Sequence, residues 1–179
     1  MFLAAVGPRM TEVAGEVADG LLVHDFTTER YLRGTMLPAF ERGLAKSGRG
    51  RADVEVTCPA FLVLGTDEQS LRRSEAKVRD SIAFYGSTPA YRRVLEASGW
   101  GELHEQLYLL SVRGRWAEMG RLVDDQVLDA FAVRGEPEQL PGRLLARYGD
   151  VCDRVSLPPP PAGQAERWEA LVDALHGGS

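Results

Sequence analysis

The sequence predicts an α/β protein with parallel strands. Short apolar runs alternate with amphipathic helical stretches: Phe2 to Val6, Leu21 to Val23, Val54 to Leu64 and Cys152 to Leu157 read as strands with helices between them. Such alternation makes neighbouring strands parallel and their crossovers right-handed. The first two strands are apolar at nearly every position. That pattern predicts cover on both faces, as in a parallel sheet. Four βα units are about half of a (β/α)8 barrel, whose usual size is roughly 250 residues.

Each element has a local reason. Gly7-Pro8 turns the first strand into a small amphipathic helix that closes at Asp19-Gly20. Thr27 and Thr28 cap a helix to about Ser47, with Leu32, Met36, Phe40 and Leu44 on one stripe. Pro38 should kink or restart that helix. Pro59 interrupts the third strand, which fits a bulge or a strand end. Thr66-Asp67-Glu68 opens a helix with Leu71, Val78, Ile82 and Tyr85 on one side. From Gly86 to about Val133 the alternation breaks into helical stripes, and nothing there reads as a strand. It is expected to be an insertion within a single partial domain spanning 1–179. Pro137 suits the first turn of the next helix, which ends near Tyr148-Gly149. Pro158 to Pro161 should form a stiff spacer, Ala165 to Leu175 a last amphipathic helix, and Gly177-Gly178-Ser179 a frayed end.

The composition, 44% hydrophobic and 26% charged, suffices for one core. A net charge of -5 argues against nucleic acid and anionic membranes as partners. No run approaches a membrane span, and no secretory leader is visible, so a cytoplasmic protein is expected. The chain starts inside a strand pattern, which reads as the middle of a larger domain. Cys58 and Cys152 lie far apart without a CxxC and are expected to be free buried thiols in a reducing compartment. His24, His104 and His176 are scattered, so no metal site is expected.

Ligands of such folds sit at the C-terminal ends of the strands. His24 is the sharpest candidate there, able to donate a hydrogen bond or move a proton. Its alternative is a histidine bonded to a neighbouring loop. Asp25 is next in sequence, but adjacent strand residues point to opposite faces. Gly7-Pro8-Arg9-Met10 leads into a helix N-terminus whose free N–H groups suit a phosphate or carboxylate. The small residues Ala4, Ala5 and Gly7 would let a flat ligand approach the backbone. Neither GxGxxG nor GxxxxGK[ST] occurs. The Pro158–Pro161 run lacks N–H donors, which disfavours a phosphate site in the last loop. Phe84, Tyr85, Tyr91 and Trp100 either line an apolar substrate pocket or pack the insertion onto the barrel, packing being the commoner use of such rings.

Leu3-Ala-Ala-Val-Gly-Pro-Arg-Met10, Ala18-Asp-Gly20 and Leu37-Pro-Ala-Phe-Glu-Arg-Gly43 resemble the bacterial luciferase-like monooxygenase superfamily. With Ile82-Ala-Phe-Tyr-Gly-Ser-Thr-Pro-Ala-Tyr91 and Asp129-Ala-Phe-Ala-Val, followed by Gly135-Glu-Pro137, they look closest to its deazaflavin (coenzyme F-420)-dependent oxidoreductases. The resemblance implies the C-terminal half of a (β/α)8 TIM barrel, strands five to eight. It implies hydride transfer between a deazaflavin at the mouth and an organic substrate. It places Ala4, Ala5, Val6, Gly7, Pro8 and Val23 against the cofactor and His24 beside its ring as the catalytic residue. Phe26, Phe84, Tyr85 and Tyr91 are then the expected substrate contacts. One branch carries a substrate-phosphate lysine after the second of these strands. The matching stretch His24-Asp-Phe-Thr-Thr28 has none, which argues against a sugar phosphate. Two alternatives remain: an FMN-dependent monooxygenase of the same superfamily, and a truncated non-catalytic flavin-binding or interaction protein. A half barrel also implies a missing N-terminal half or self-association as its partner.

Overall fold

The computed structural model of the chain describes residues 1–65, 67–159 and 165–177. In order the elements are β1 (Phe2–Ala5), α1 (Pro8–Val17), β2 (Gly20–Val23), α2 (Glu29–Tyr31), a π-helical turn (Leu32–Met36), α3 (Leu37–Lys46), β3 (Glu55–Pro59), β4 (Phe61–Val63) and α4 (Glu68–Gly86). Then follow α5 (Arg92–Glu96), α6 (Gly101–Val112), α7 (Trp116–Met119), α8 (Asp125–Phe131), β5 (Ala132–Arg134), α9 (Leu140–Tyr148), β6 (Arg154–Ser156) and α10 (Ala165–Gly177). β1, β2, β3 and β6 form one parallel sheet in that order, and β4 pairs with β5 in a second, also parallel. This is the α/β half-barrel topology that the alternation predicts.

The helix after β2 restarts at Pro38 as expected: α3 begins there, behind the π-helical turn. Asp67 caps α4, its carboxylate accepting the Ser70 N–H at 2.7 Å, which holds that carboxyl below the usual range. The Thr66 part of the expected cap, the spacer beyond Pro159, and Gly178-Ser179 lie outside the described residues.

Pro59 ends a ladder, since it has no N–H to give. β3 reaches Pro59 paired to Ser156, and Ala60 N–H donates to the Ser156 carbonyl at 3.1 Å. The chain then leaves that sheet as β4 and takes β5 as its partner. β5 corrects the expectation that the insertion contains no strand. Its three residues are too few to show a period, and its ladder exists only because Phe61–Val63 lies beside it.

α1 and α3 pack on one face of the sheet at backbone distance. A Cβ on Gly15 would collide with the Phe40 carbonyl, and one on Gly43 with the Glu12 carbonyl. Leu21, Val23, Val56 and Cys58 point into this layer with Ala14, Met36, Phe40 and Leu44. The opposite row is not covered as both-face cover would require. Leu22 is 38% and Phe2 43% exposed, and Ala4 beside Leu22 is exposed too. The apolar pattern prepares both faces for burial, but the helices of this chain cover only one.

A second correction concerns the cysteines. Cys58 and Cys152 form a disulfide with a Cα–Cα distance of 6.1 Å. Ninety-four residues separate them in sequence, but the pairing of β3 with β6 brings them together. Asp153 adds to this seam by accepting Val56 N–H at 2.7 Å and Arg51 at 2.6 Å. Across the molecule, Arg33 ties the π-helical turn to the end of α9, with both η nitrogens on Asp150 at 2.7 and 2.8 Å.

This packing sets three outcomes. In denaturant, the two cysteines react with a thiol reagent only after reduction. Cys152→Ser lowers the unfolding free energy by about 3–4 kcal/mol, as expected for a long closed loop. Gly43→Ala forces α1 and α3 apart and costs about 2–3 kcal/mol in denaturant unfolding.

Candidate functional site

Pairing of Ala5 with Val23 makes β1 and β2 end side by side. Val6-Gly7-Pro8 and His24-Asp25-Phe26 therefore leave the same edge of the sheet, as the short βαβ connection predicts. Gly7 is the N-cap of α1, with extended backbone and no side-chain cap, and Pro8 stands in the first turn. The Gly7 carbonyl accepts both the N–H and the hydroxyl of Thr11, each at 3.0 Å. The guanidinium of Arg93 lies over this turn, 3.2 Å from where a Gly7 Cβ would stand. A side chain at position 7 would displace that cation.

Tyr31, 2% exposed, donates its hydroxyl to the Val6 carbonyl at 3.0 Å. Burial raises its phenol pKa, against the opposing pull of Arg93. Arg93 and Tyr31 thus both belong to the site. Sequence reasoning missed them because Arg92-Arg93 reads as a solvated helix face and Tyr31 falls in no motif that singles it out.

His24 is half-buried just beyond β2. Its Nδ1 accepts the Phe26 N–H at 3.0 Å, and its Nε2 lies 3.1 Å from the Tyr91 hydroxyl. Burial holds the imidazole below its usual pKa, with Asp25 pulling weakly the other way. The ring is therefore neutral at pH 7. Since Nδ1 is the acceptor, the single ring proton sits on Nε2 and is donated to Tyr91. The opposite tautomer would set two N–H groups against each other.

The end of α4 and the insertion after it supply the aromatic wall. Tyr85 meets His24 edge-on at 5.0 Å and Tyr91 lies 4.9 Å from it. Phe26, fully buried, is 6.0 Å from Tyr85, 5.7 Å from Tyr91 and stacks on Phe131 at 4.5 Å. So His24, Phe26, Tyr85 and Tyr91 come together. Phe84 does not join them: it is 55% exposed and turns toward Trp116. Trp100 packs against Phe131, and His104 binds the Gly86 carbonyl at 2.7 Å, both structural uses. Ala5 and Val23 bury their side chains in the core, which leaves only their backbone facing the mouth, whereas Ala4 lies on the open face. A cleft of about 530 Å³ with an apolar floor of Leu62, Leu64 and Trp168 opens nearby. It reaches Asp25, next to His24, and Ser81, one turn before Tyr85.

The luciferase-like monooxygenase family model matches residues 1–154, and the chain belongs to that family. An uncharacterised protein of Mycobacterium tuberculosis is 50% identical over 155 residues, covering 87% of this chain and 46% of that protein. A 5,10-methylenetetrahydromethanopterin reductase of Archaeoglobus fulgidus is 26% identical over 154 residues, covering 80% of this chain and 43% of its own length. The chain thus spans about half the length of the curated relatives it matches. Among solved structures, the coenzyme F420-dependent tetrahydromethanopterin reductase of Methanopyrus kandleri superposes with a TM-score of 0.71 at 22% identity, covering 97% of this chain and 48% of that one. An F420-dependent secondary alcohol dehydrogenase, in complex with an F420–acetone adduct, gives 0.62 at 14% identity with the same coverages. The barrel fold is shared with both, and the likeness is to the F420-dependent branch of the family.

The buried imidazole makes a prediction about pH. An unfolded His24 takes up a proton near pH 6.5, the folded one only at lower pH. Below about pH 6.5 the unfolded chain binds more protons, so stability falls as the pH drops. The melting temperature is expected to decline toward about pH 5, and less steeply in His24→Gln. The His24 ring, followed by NMR, titrates with a midpoint below 6.5.

Proposed function

We propose that this chain is the C-terminal half of a coenzyme F420-dependent oxidoreductase of the luciferase-like family. Its site holds an organic substrate against the deazaflavin at the mouth of the barrel. The observation that carries this reading is the convergence of Val6-Gly7-Pro8 and His24 at one sheet edge, with Tyr85 and Tyr91 beside the imidazole.

The residues fit such a cofactor. Gly7 leaves the start of α1 without a side-chain cap and admits Arg93 over the turn, so N–H groups and a guanidinium face the same place. That pairing suits a phosphate-bearing tail. Ala4 is small and lies on the open face, where a flat ring has room. When bound, the deazaflavin supplies the hydride. The protein binds, orients and excludes water around it. Phe26, Tyr85 and Tyr91 form the apolar side of the substrate position, and His24 is the polar group set among them.

The open row Ala4–Leu22–Thr57 and the edge strands β1 and β6 call for more strands. We take the partner to be an N-terminal half-barrel, with a second copy of this chain as the alternative. In sedimentation, the chain alone is expected to self-associate, and to become monodisperse when the N-terminal half is supplied.

The test is a titration of that completed barrel with coenzyme F420 and with FMN, read by fluorescence. F420 is expected to bind the tighter of the two, and Gly7→Val to weaken it about tenfold by displacing Arg93 and blocking the turn, an effect of one hydrogen-bonded charge contact. His24→Ala should slow single-turnover hydride transfer about a hundredfold, the cost of losing the preorganised hydrogen bond that it gives to Tyr91, while leaving F420 affinity nearly unchanged. Preference for FMN would move the protein to the flavin monooxygenases. Binding of neither would leave it a non-catalytic relative.

A further inference from the structure

We propose that the Tyr91 hydroxyl is the hydrogen-bond and proton donor of this site, directed at the carbonyl oxygen of an uncharged, apolar carbonyl compound, and that His24 is a positioning residue acting through it. The proposal rests on the functional reading above and assigns its substrate class.

Both nitrogens of His24 are engaged, one accepting from Phe26 N–H at 3.0 Å and the other donating to Tyr91 at 3.1 Å. The imidazole therefore has no free donor for a ligand. Tyr91 is different. Its oxygen accepts from His24, and its own O–H has no acceptor among the described residues. A half-buried hydroxyl with an unspent proton is a donor waiting for an acceptor.

Its place is also the right one. Tyr91 contacts His24 at the end of β2, and Arg93, two residues on, lies over Gly7 at the end of β1. The segment that carries both residues thus lies across the two strand ends where the cofactor is proposed. Against the Tyr91 ring stand those of Phe26 at 5.7 Å and Tyr85 at 5.8 Å. These surroundings favour an uncharged apolar ligand with one acceptor atom.

The chemistry balances. A reduced deazaflavin, when bound, would supply the hydride that the carbonyl carbon takes up as the C=O π pair moves to oxygen. That oxygen takes the proton from Tyr91 Oη, giving the alcohol. The phenolate left behind accepts the His24 Nε2–H bond and is reprotonated from water. His24 thus stabilises the charge that Tyr91 acquires without itself touching the substrate.

The test uses acetophenone, labelled with carbon-13 at its carbonyl, bound to the same completed barrel and read by infrared difference spectroscopy. In the wild type, the bound carbonyl band is expected at lower frequency than in hydrocarbon solution. Tyr91→Phe keeps the ring and its packing, and should return the band to the hydrocarbon position while weakening acetophenone about fivefold, the value of one hydrogen bond. His24→Ala should leave a smaller, broader shift, since Tyr91 is present but no longer held. Circular dichroism confirms that both variants are folded. An unchanged band in Tyr91→Phe overturns the proposal, as does the absence of any bound-carbonyl band at saturating acetophenone. F420 affinity, measured in parallel, separates the two readings. A carbonyl shift without F420 binding would leave Tyr91 as the donor and remove the deazaflavin. F420 binding without a shift would do the reverse.

Discussion

The parallel register of β1, β2, β3 and β6 is the constraint on which the rest depends. Parallel strands end at the same side, so the segments that follow them are neighbours whatever their distance in sequence. Ala5 beside Val23 puts the Gly7 turn next to His24. Cys58 opposite Val155 brings Cys152 within bonding reach of β3. That ladder in turn needs helices close enough to shield it. The bare glycines 15 and 43 let α1 and α3 touch backbone to backbone, which draws both onto one face of the sheet.

The same geometry leaves the other face open. Leu22 and Ala4 present an apolar row where a complete barrel has its filled interior. A strand buried on both sides and a strand buried on one carry the same apolar sequence when the missing cover comes from elsewhere. The family model matches residues 1–154, and the chain spans about half the length of the curated relatives it matches.

The chemistry of the mouth comes from pairing a sheet end with a helical insertion. Burial keeps His24 neutral, and the Phe26 N–H decides which nitrogen holds its proton. The end of α4 then supplies Tyr85, and the insertion Tyr91 around it and Arg93 beside Gly7. None of these groups is unusual alone. Their effect lies in the direction of each hydrogen bond.

Much of this was legible beforehand. Apolar run lengths and helical stripes marked the strands and helices, because burial on a face imposes a period on the residues that line it. Gly7-Pro8 and His24 stood out because strand ends are where backbone and side chains become free for ligands. What depended on partners far along the chain was not legible. β5 exists only beside β4, and the disulfide only through the β3–β6 ladder. The split of the aromatic set between Tyr91, which meets His24, and Phe84, which turns outward, depended on how α4 rolled against its neighbours. The sequence by itself thus determined the α/β alternation and which residues end the strands, both local properties of the chain. The tertiary structure decided the proton on His24, the cation over Gly7 and the cysteine pair, because each requires two segments that only long-range packing brings into contact.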